Sequence, residues 1–243
     1  MGLNKQKGNM YEFVTHTWNV IKGRCPHKCS YCYMKKWGEQ PELHFDEKEM
    51  RADLGSGNYI FVGSSCDMFA VNGWWIARVL DHCNRYSNTY LFQSKDPFRA
   101  WCFEHLFPKE YIFCTTLESN RFYFSDWEAS YQVSHFRSKF LIHAWLRSLK
   151  STNVPSITER AEGIKKFARR HITIEPIIDF DLEEFVELLR DISPEQINIG
   201  ADSGRNNLPE PSAEKVRTLI AELEKFTKVV QKKNLSRILR GER

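Results

Sequence analysis

The chain has 243 residues, 42% of them apolar, which is enough to bury a real core in one large domain or two small ones. Its formal charge of +4 is only a weak argument for an anionic partner, and no apolar run approaches the roughly 20 residues that span a bilayer. Seven irregularly spaced cysteines fit a reducing compartment better than a disulfide framework, and the polar opening residues lack a signal-peptide core, so a cytoplasmic protein is expected.

Short apolar runs alternate with longer amphipathic ones, the pattern of βα units on a parallel sheet. A first strand is expected over Tyr11–Trp18, with a helix starting near Tyr31. A second strand follows over Tyr59–Val62, ending in Gly63-Ser64-Ser65, with a helix over Gly73–Cys83. The third strand is Thr89–Phe92, ending in Gln93-Ser94-Lys95, and Pro97 suits the first turn of the next helix. The fourth is Tyr111–Thr116. A long aromatic-rich connection then runs over residues 117–155, with a helix expected at 138–149. Connections of that length are often functional.

Regular alternation returns with a helix over Ser156–Arg169, where Ser156 and Glu159 form a capping pair. A fifth strand over Ile172–Ile177, a helix over Asp181–Arg190, a sixth strand over Gln196–Ile199 and a helix opening at Ser212 complete the series. The basic tail, residues 226–243, is expected to be helical over Val229–Leu239. The whole reads as one α/β domain, a partial (β/α)6 TIM-like barrel of parallel strands with an aromatic-rich insertion after strand 4. Six strands leave an opening that eight close, and loops at the carboxyl ends of the strands build the site in such folds.

The chemistry is concentrated in Cys25-Pro26-His27-Lys28-Cys29-Ser30-Tyr31-Cys32. Three thiolates spaced CxxxCxxC can hold three corners of a cubane that normally takes four cysteines, leaving one iron open to a small molecule. The alternative is a structural zinc with His27 or a distant thiol as fourth ligand. Zinc sites usually pair two such units, and Cys66, Cys83, Cys102 and Cys114 are all isolated.

The stretch resembles the radical S-adenosylmethionine (SAM) superfamily signature, CxxxCxΦC, with Tyr31 at the aromatic position. The resemblance implies a [4Fe–4S] cluster on Cys25, Cys29 and Cys32 whose open iron chelates SAM, and reductive cleavage of SAM to a 5′-deoxyadenosyl radical. An electron donor of flavodoxin or ferredoxin type is expected with it. Gly63, Ser64 and Ser65 stand where the superfamily often has a Gly-Gly-Glu element for the SAM ammonium, with Asp67 nearby to supply charge. Ser94 and Lys95 end the third strand, and Lys95 suits the SAM carboxylate or a substrate phosphate. Thr116 and Glu118 follow the fourth, Glu118 being the first choice for the ribose hydroxyls. Asn198 and Gly200 resemble part of the adenine-contacting GxIxG element.

Three further residues are candidates for the reaction itself. Glu175 is an acid in an apolar strand, costly to bury without a partner, and Asp202 follows the sixth strand. Cys114 or Cys66 is placed to be a hydrogen donor of the kind spore photoproduct lyases use, with plain buried packing as the alternative. Thr17–Gly23 and Ile60–Phe69 resemble a phage-associated subgroup related to the spore photoproduct lyase branch. That implies a nucleobase substrate in DNA or a nucleotide, most specifically a modified thymidine in phage-type DNA. A peptide or small-metabolite substrate, and a non-catalytic metal-stabilised nucleic-acid binder, are the rival readings.

Overall fold

The computed structural model describes residues 2–6, 9–121 and 154–242. The helix expected at 138–149, with most of the aromatic connection, lies outside them. Ten strands are described: β1 (Asn4–Lys5), β2 (His16–Trp18), β3 (Ile21–Lys22), β4 (His44–Phe45), β5 (Tyr59–Val62), β6 (Thr89–Gln93), β7 (Tyr111–Thr116), β8 (Arg170–Ile174), β9 (Gln196–Ile199) and β10 (Lys228–Gln231). Eight form one sheet in the order β1-β2-β5-β6-β7-β8-β9-β10. Every neighbouring pair from β2 to β10 is parallel, and only β1 runs antiparallel. This is the expected partial barrel, with one more parallel strand than the sequence reading allowed.

The extra strand is a correction to the expected helical tail. Val229 and Val230 are β-branched, which favours a pleated strand, and their register against Ile197 and Asn198 satisfies the backbone along β9. Helix resumes only at Ser236–Leu239. The first strand is also shorter than expected. Tyr11 and Val14 are used instead to fill the inside of the barrel, where they cluster with Phe61, Leu91, Ile112 and Cys114. The helix expected near Tyr31 is a single 3-10 stretch, Tyr33–Trp37.

The strands read as nearly continuous apolar runs because both faces are covered. Outward residues such as Ile60, Phe92, Phe113, Ile172 and Ile197 pack in one core with Ile76 and Leu80 of the helix Gly73–Cys83, Phe185 and Leu189 of Leu182–Ile192, and Leu219 of Ala213–Leu223. Inward residues alternate with them, and several are polar: Gln93, Thr116, Thr173 and Asn198. The capping box at Ser156 and Glu159 is present and starts the helix Ile157–Ile164.

A short β3–β4 ladder, Ile21↔Phe45 and Lys22↔His44, closes the base of the cysteine loop. Gly23 makes that closure possible. Its φ is +99°, and a Cβ there would lie 2.3 Å from the Glu42 carbonyl oxygen. Gly23→Ala is therefore expected to destabilise the protein by about 2 kcal/mol or more, read as a shift in urea midpoint. An unchanged midpoint would show that the ladder is dispensable.

Candidate active site

The loop between β3 and β4 carries the three cysteines over the carboxyl end of the sheet. Lys28 takes a left-handed turn (φ +52°) between Cys25 and Cys29. The Lys28 N–H donates to Cys25 O, and the Cys32 N–H to Cys29 O, both at 3.2 Å. All three thiols are half-buried. Burial, the charge of Glu118 and the neighbouring Cys25 and Cys32 push the Cys29 thiol up to about 11, against the pull of Lys95.

Among the described residues, no three Cys, His, Asp or Glu side chains converge as the ligands of a single metal ion do. A cubane makes a different demand, because its protein thiolates bind separate irons. The donor set is three soft sulfurs on one folded-back loop, which fits such a cluster. His27, one of the two options for a zinc site's fourth ligand, gives its Nε2 to Asp67 Oδ2 at 2.8 Å.

Asp67 is a joint between the cysteine loop and two strand ends. Its Oδ2 also accepts from Ser94 Oγ (2.9 Å) and the Lys95 N–H (2.8 Å), and its Oδ1 from the Phe69 N–H (3.0 Å). Burial opposes its charge, yet the bond from His27, then the Lys95 N–H and Ser94, hold its pKa below the usual carboxylate value. The Gly63-Ser64-Ser65 turn is tied in similarly. Asn19 Oδ1 accepts from Ser64 Oγ and the Ser65 N–H, both at 3.1 Å, and Tyr33 donates to the Ser64 carbonyl.

Across the end of β6 and β7 lies a buried charge cluster. Glu118 pairs with Lys95 Nζ at 2.5 Å and with Arg160 NH2 at 2.8 Å, and accepts from the Tyr31 hydroxyl. Lys95 Nζ also reaches the Tyr31 hydroxyl at 3.1 Å. Arg160 donates to the Thr116 carbonyl, while its Nε is buried without a partner among the described residues. Burial raises the pKa of Glu118, but Arg160 and then Lys95 outweigh it and hold the carboxyl far below its ordinary range.

Glu175 sits just past β8 on the facing side. It is ion-paired with Lys232 and accepts from Asn9 Nδ2 and Asn234 Nδ2, both at 2.8 Å, and from Ser203 Oγ at 3.3 Å. A side chain at Gly200 would collide with it, its Cβ lying 2.8 Å from the Glu175 carboxyl group. Lys232 Nζ stands 4.7 Å over the Tyr11 ring. Below, Tyr11 OH meets Thr173 Oγ1 (2.6 Å) and Gln93 Oε1 (2.8 Å), and Cys114 Sγ lies 3.3 Å from Thr173 Oγ1. Burial pushes the Cys114 thiol up to about 11, against the lowering by Thr173, Tyr11, Lys232 and Lys95. Asn198 lines a cavity of about 200 Å³ beside Tyr11 and Lys232, between the amino-terminal segment and β10.

Two sequence candidates stand differently from the rest. The Asp202 carboxylate bonds the Gly204 and Asn206 N–H groups and Asn206 Nδ2, so it shapes the loop after β9. Cys66 is buried in the main core, its Sγ donating to the Asp67 carbonyl at 3.9 Å, and Cys25 together with burial pushes its pKa far up. Tyr11, Arg160, Lys232 and Asn234 were missed. Lys232 was absorbed into the basic tail, and Arg160 reads as an ordinary helix residue; no local signal marks either.

No protein-family model matches the chain, and no curated protein matches it. Solved structures do. A spore photoproduct lyase double mutant with bound AdoMet and dinucleoside spore photoproduct aligns with a TM-score of 0.60 at 10% identity, covering 93% of this chain and 78% of that one. A spore photoproduct lyase complexed with dinucleoside spore photoproduct gives 0.58 at 9% identity over the same shares. The partial barrel built here on a three-cysteine loop is thus the fold of spore photoproduct lyase, a radical SAM enzyme.

Proposed function

We propose that this chain is a radical SAM enzyme that modifies or rearranges a nucleobase, with a modified pyrimidine in DNA as the preferred substrate. The observation that carries the reading is a three-thiol loop at the carboxyl end of a barrel whose interior holds the buried Cys114 thiol. Cys25, Cys29 and Cys32 would hold the cluster, and the cluster with SAM would supply reductive cleavage to a 5′-deoxyadenosyl radical. The electron would come from a carrier of flavodoxin or ferredoxin type. Ser64, Ser65, Lys95 and Glu118 stand at adjoining strand ends, suited to the amino, carboxylate and ribose groups of SAM. Glu175, Lys232 and Asn198 line the opposite side, where polar edges of a base have partners. The spore photoproduct lyase structures that hold a dinucleoside spore photoproduct support that substrate class.

Cys114 keeps its proton at neutral pH, and a hydrogen-atom donor must be S–H rather than thiolate. Its expected role is to return a hydrogen to the substrate. Protein reconstituted with iron and sulfide without oxygen, then given dithionite and SAM, should form 5′-deoxyadenosine. A colourless protein that leaves SAM intact would favour the non-catalytic binder. With modified DNA in deuterated buffer, wild-type product should carry deuterium from the exchanged thiol, and Cys114→Ala should lose that label while still cleaving SAM. Equal labelling in both would remove Cys114 from the reaction, and no nucleoside change with any DNA would remove the substrate class.

A further inference from the structure

Asp67 follows the Gly63-Ser64-Ser65 turn, where a charge for the SAM ammonium is expected, but its acceptor positions are already used. A carboxylate offers about four lone-pair sites. Its Oδ2 accepts from His27 Nε2 at 2.8 Å, Ser94 Oγ at 2.9 Å and the Lys95 N–H at 2.8 Å, and its Oδ1 accepts from the Phe69 N–H at 3.0 Å. These donors come from the cysteine loop, from the end of β6 and from the short 3-10 turn Met68–Ala70 after β5. The His27 and Asp67 side chains are only 5% and 9% exposed, so water competes little for the bond between them. An ionised carboxylate can only accept, so His27 carries a proton on Nε2. His27 lies between Cys25 and Cys29, and Tyr31 makes the matching tie for the other half of the triplet, to Glu118.

We propose that Asp67 is a positioning residue and not a SAM ligand: through His27 it fixes the Cys25–Cys29 half of the loop to the strand ends that carry Ser64, Ser65 and Lys95. The inference rests on the radical SAM reading above. A ligand that must reach both an iron on the loop and polar groups on the strand ends binds tightly only where the distance between them is set beforehand. The same carboxylate holds the Lys95 backbone and the loop, so one side chain sets that distance. Asparagine cannot replace it, because an amide has one acceptor oxygen where the carboxylate has two.

The test has two readouts. In the reduced holoprotein, SAM is titrated against the paramagnetic resonance signal of the cluster. His27→Leu should keep the iron and sulfide content of wild type but bind SAM about tenfold more weakly, the effect of one lost hydrogen bond to a charged group. Asp67→Asn should weaken binding at least as much, and the double variant no further than D67N. His27→Gln, which returns an N–H at similar reach, should restore most of the affinity. Wild-type affinity in H27L beside a loss in D67N would make Asp67 a direct ligand of the ammonium and overturns the proposal. Loss of the cluster from H27L and H27Q alike also overturns it, because His27 would then be a ligand. In protein without cluster, the Lys28 amide, which donates to Cys25 O, should exchange its hydrogen about tenfold faster in H27L, with the Cys32 amide unchanged. Unchanged Lys28 exchange overturns the tie whatever SAM does. Wild-type protein that takes up no cluster, yet shows that exchange pattern, overturns the enzyme reading and the role toward SAM, leaving only the loop contact.

Discussion

Alanine at Cys25, Cys29 or Cys32 is expected to remove the visible absorbance and bound iron of the reconstituted protein and to bring 5′-deoxyadenosine formation down to background. Each thiolate holds one corner, and a cluster with only three protein ligands has no spare one. The loss should be chemical and not structural. The loop is anchored independently at its base by the β3–β4 ladder and by the Arg24 N–H on the Pro41 carbonyl at 2.9 Å. Apo-protein stability should therefore change by only about 1 kcal/mol or less. Cys102 is exposed and caps the helix Pro97–Trp101, outside the loop, so Cys102→Ala is the matched control. Full iron content and SAM cleavage in all three loop variants would end the cluster assignment. Retention of one tightly bound zinc in the wild type would point to the rival metal site.

Arg160→Met should be the most destabilising single change at the site, costing about 3–5 kcal/mol. Arg160 and Glu118 are each about 5% exposed in their side chains and 2.8 Å apart. Removing the guanidinium leaves a buried carboxylate with Lys95 as its remaining charged partner, and frees the Thr116 carbonyl as well. The sign of the pH dependence follows from the depressed pKa of Glu118. Its contribution is fully present above the ordinary carboxylate pKa of about 4.3 and is lost as pH falls below that value toward the folded-state pKa. In R160M the folded-state pKa moves up toward or past the ordinary value, so acid should remove less of the remaining stability and the gap between wild type and R160M should narrow as pH falls. Urea unfolding across pH 3–8, with E118Q and the double variant completing a cycle, measures this. The double variant should be more stable than R160M, because it no longer buries an uncompensated charge. Additive losses would show that the pair is not coupled.

Several strands inside the sheet were legible in full. Tyr59–Val62, Tyr111–Thr116 and Gln196–Ile199 begin and end where the sequence places them, as does the helix Gly73–Cys83. Each is a short apolar run bounded by turn residues, buried on both faces. One error lies inside the sheet: β8 runs over Arg170–Ile174 and not Ile172–Ile177, because Pro176 has no N–H to continue the ladder; the others lie at its edges. Lys228–Gln231 has two apolar residues between polar ones, too short a pattern to separate an edge strand from a basic helix. Tyr11–Val14 has the composition of a strand, but its aromatic and β-branched side chains fill the barrel instead.

At the site the division is similar. The positions of Lys95, Glu118 and Glu175 at strand ends were readable one at a time, since polar residues after apolar runs mark them. Their partners were not, because Arg160, Lys232 and Asn9 lie far away in the chain and carry no local signature.

By itself, the order of residues determined the spacing of the three thiols, the alternation of strands and helices, and hence which strand ends carry polar groups. These are properties of neighbours along the chain, set by backbone geometry and side-chain periodicity. Only the tertiary structure decided that Cys114 meets Thr173 inside the barrel while Cys66 lies in the outer core, that Asp67 and Asp202 hold loops together, and that Glu118 and Glu175 each acquire buried cations. Those pairings depend on the curvature of the sheet, which brings distant segments into a water-poor interior where a charge or a proton is worth far more than it is in solvent.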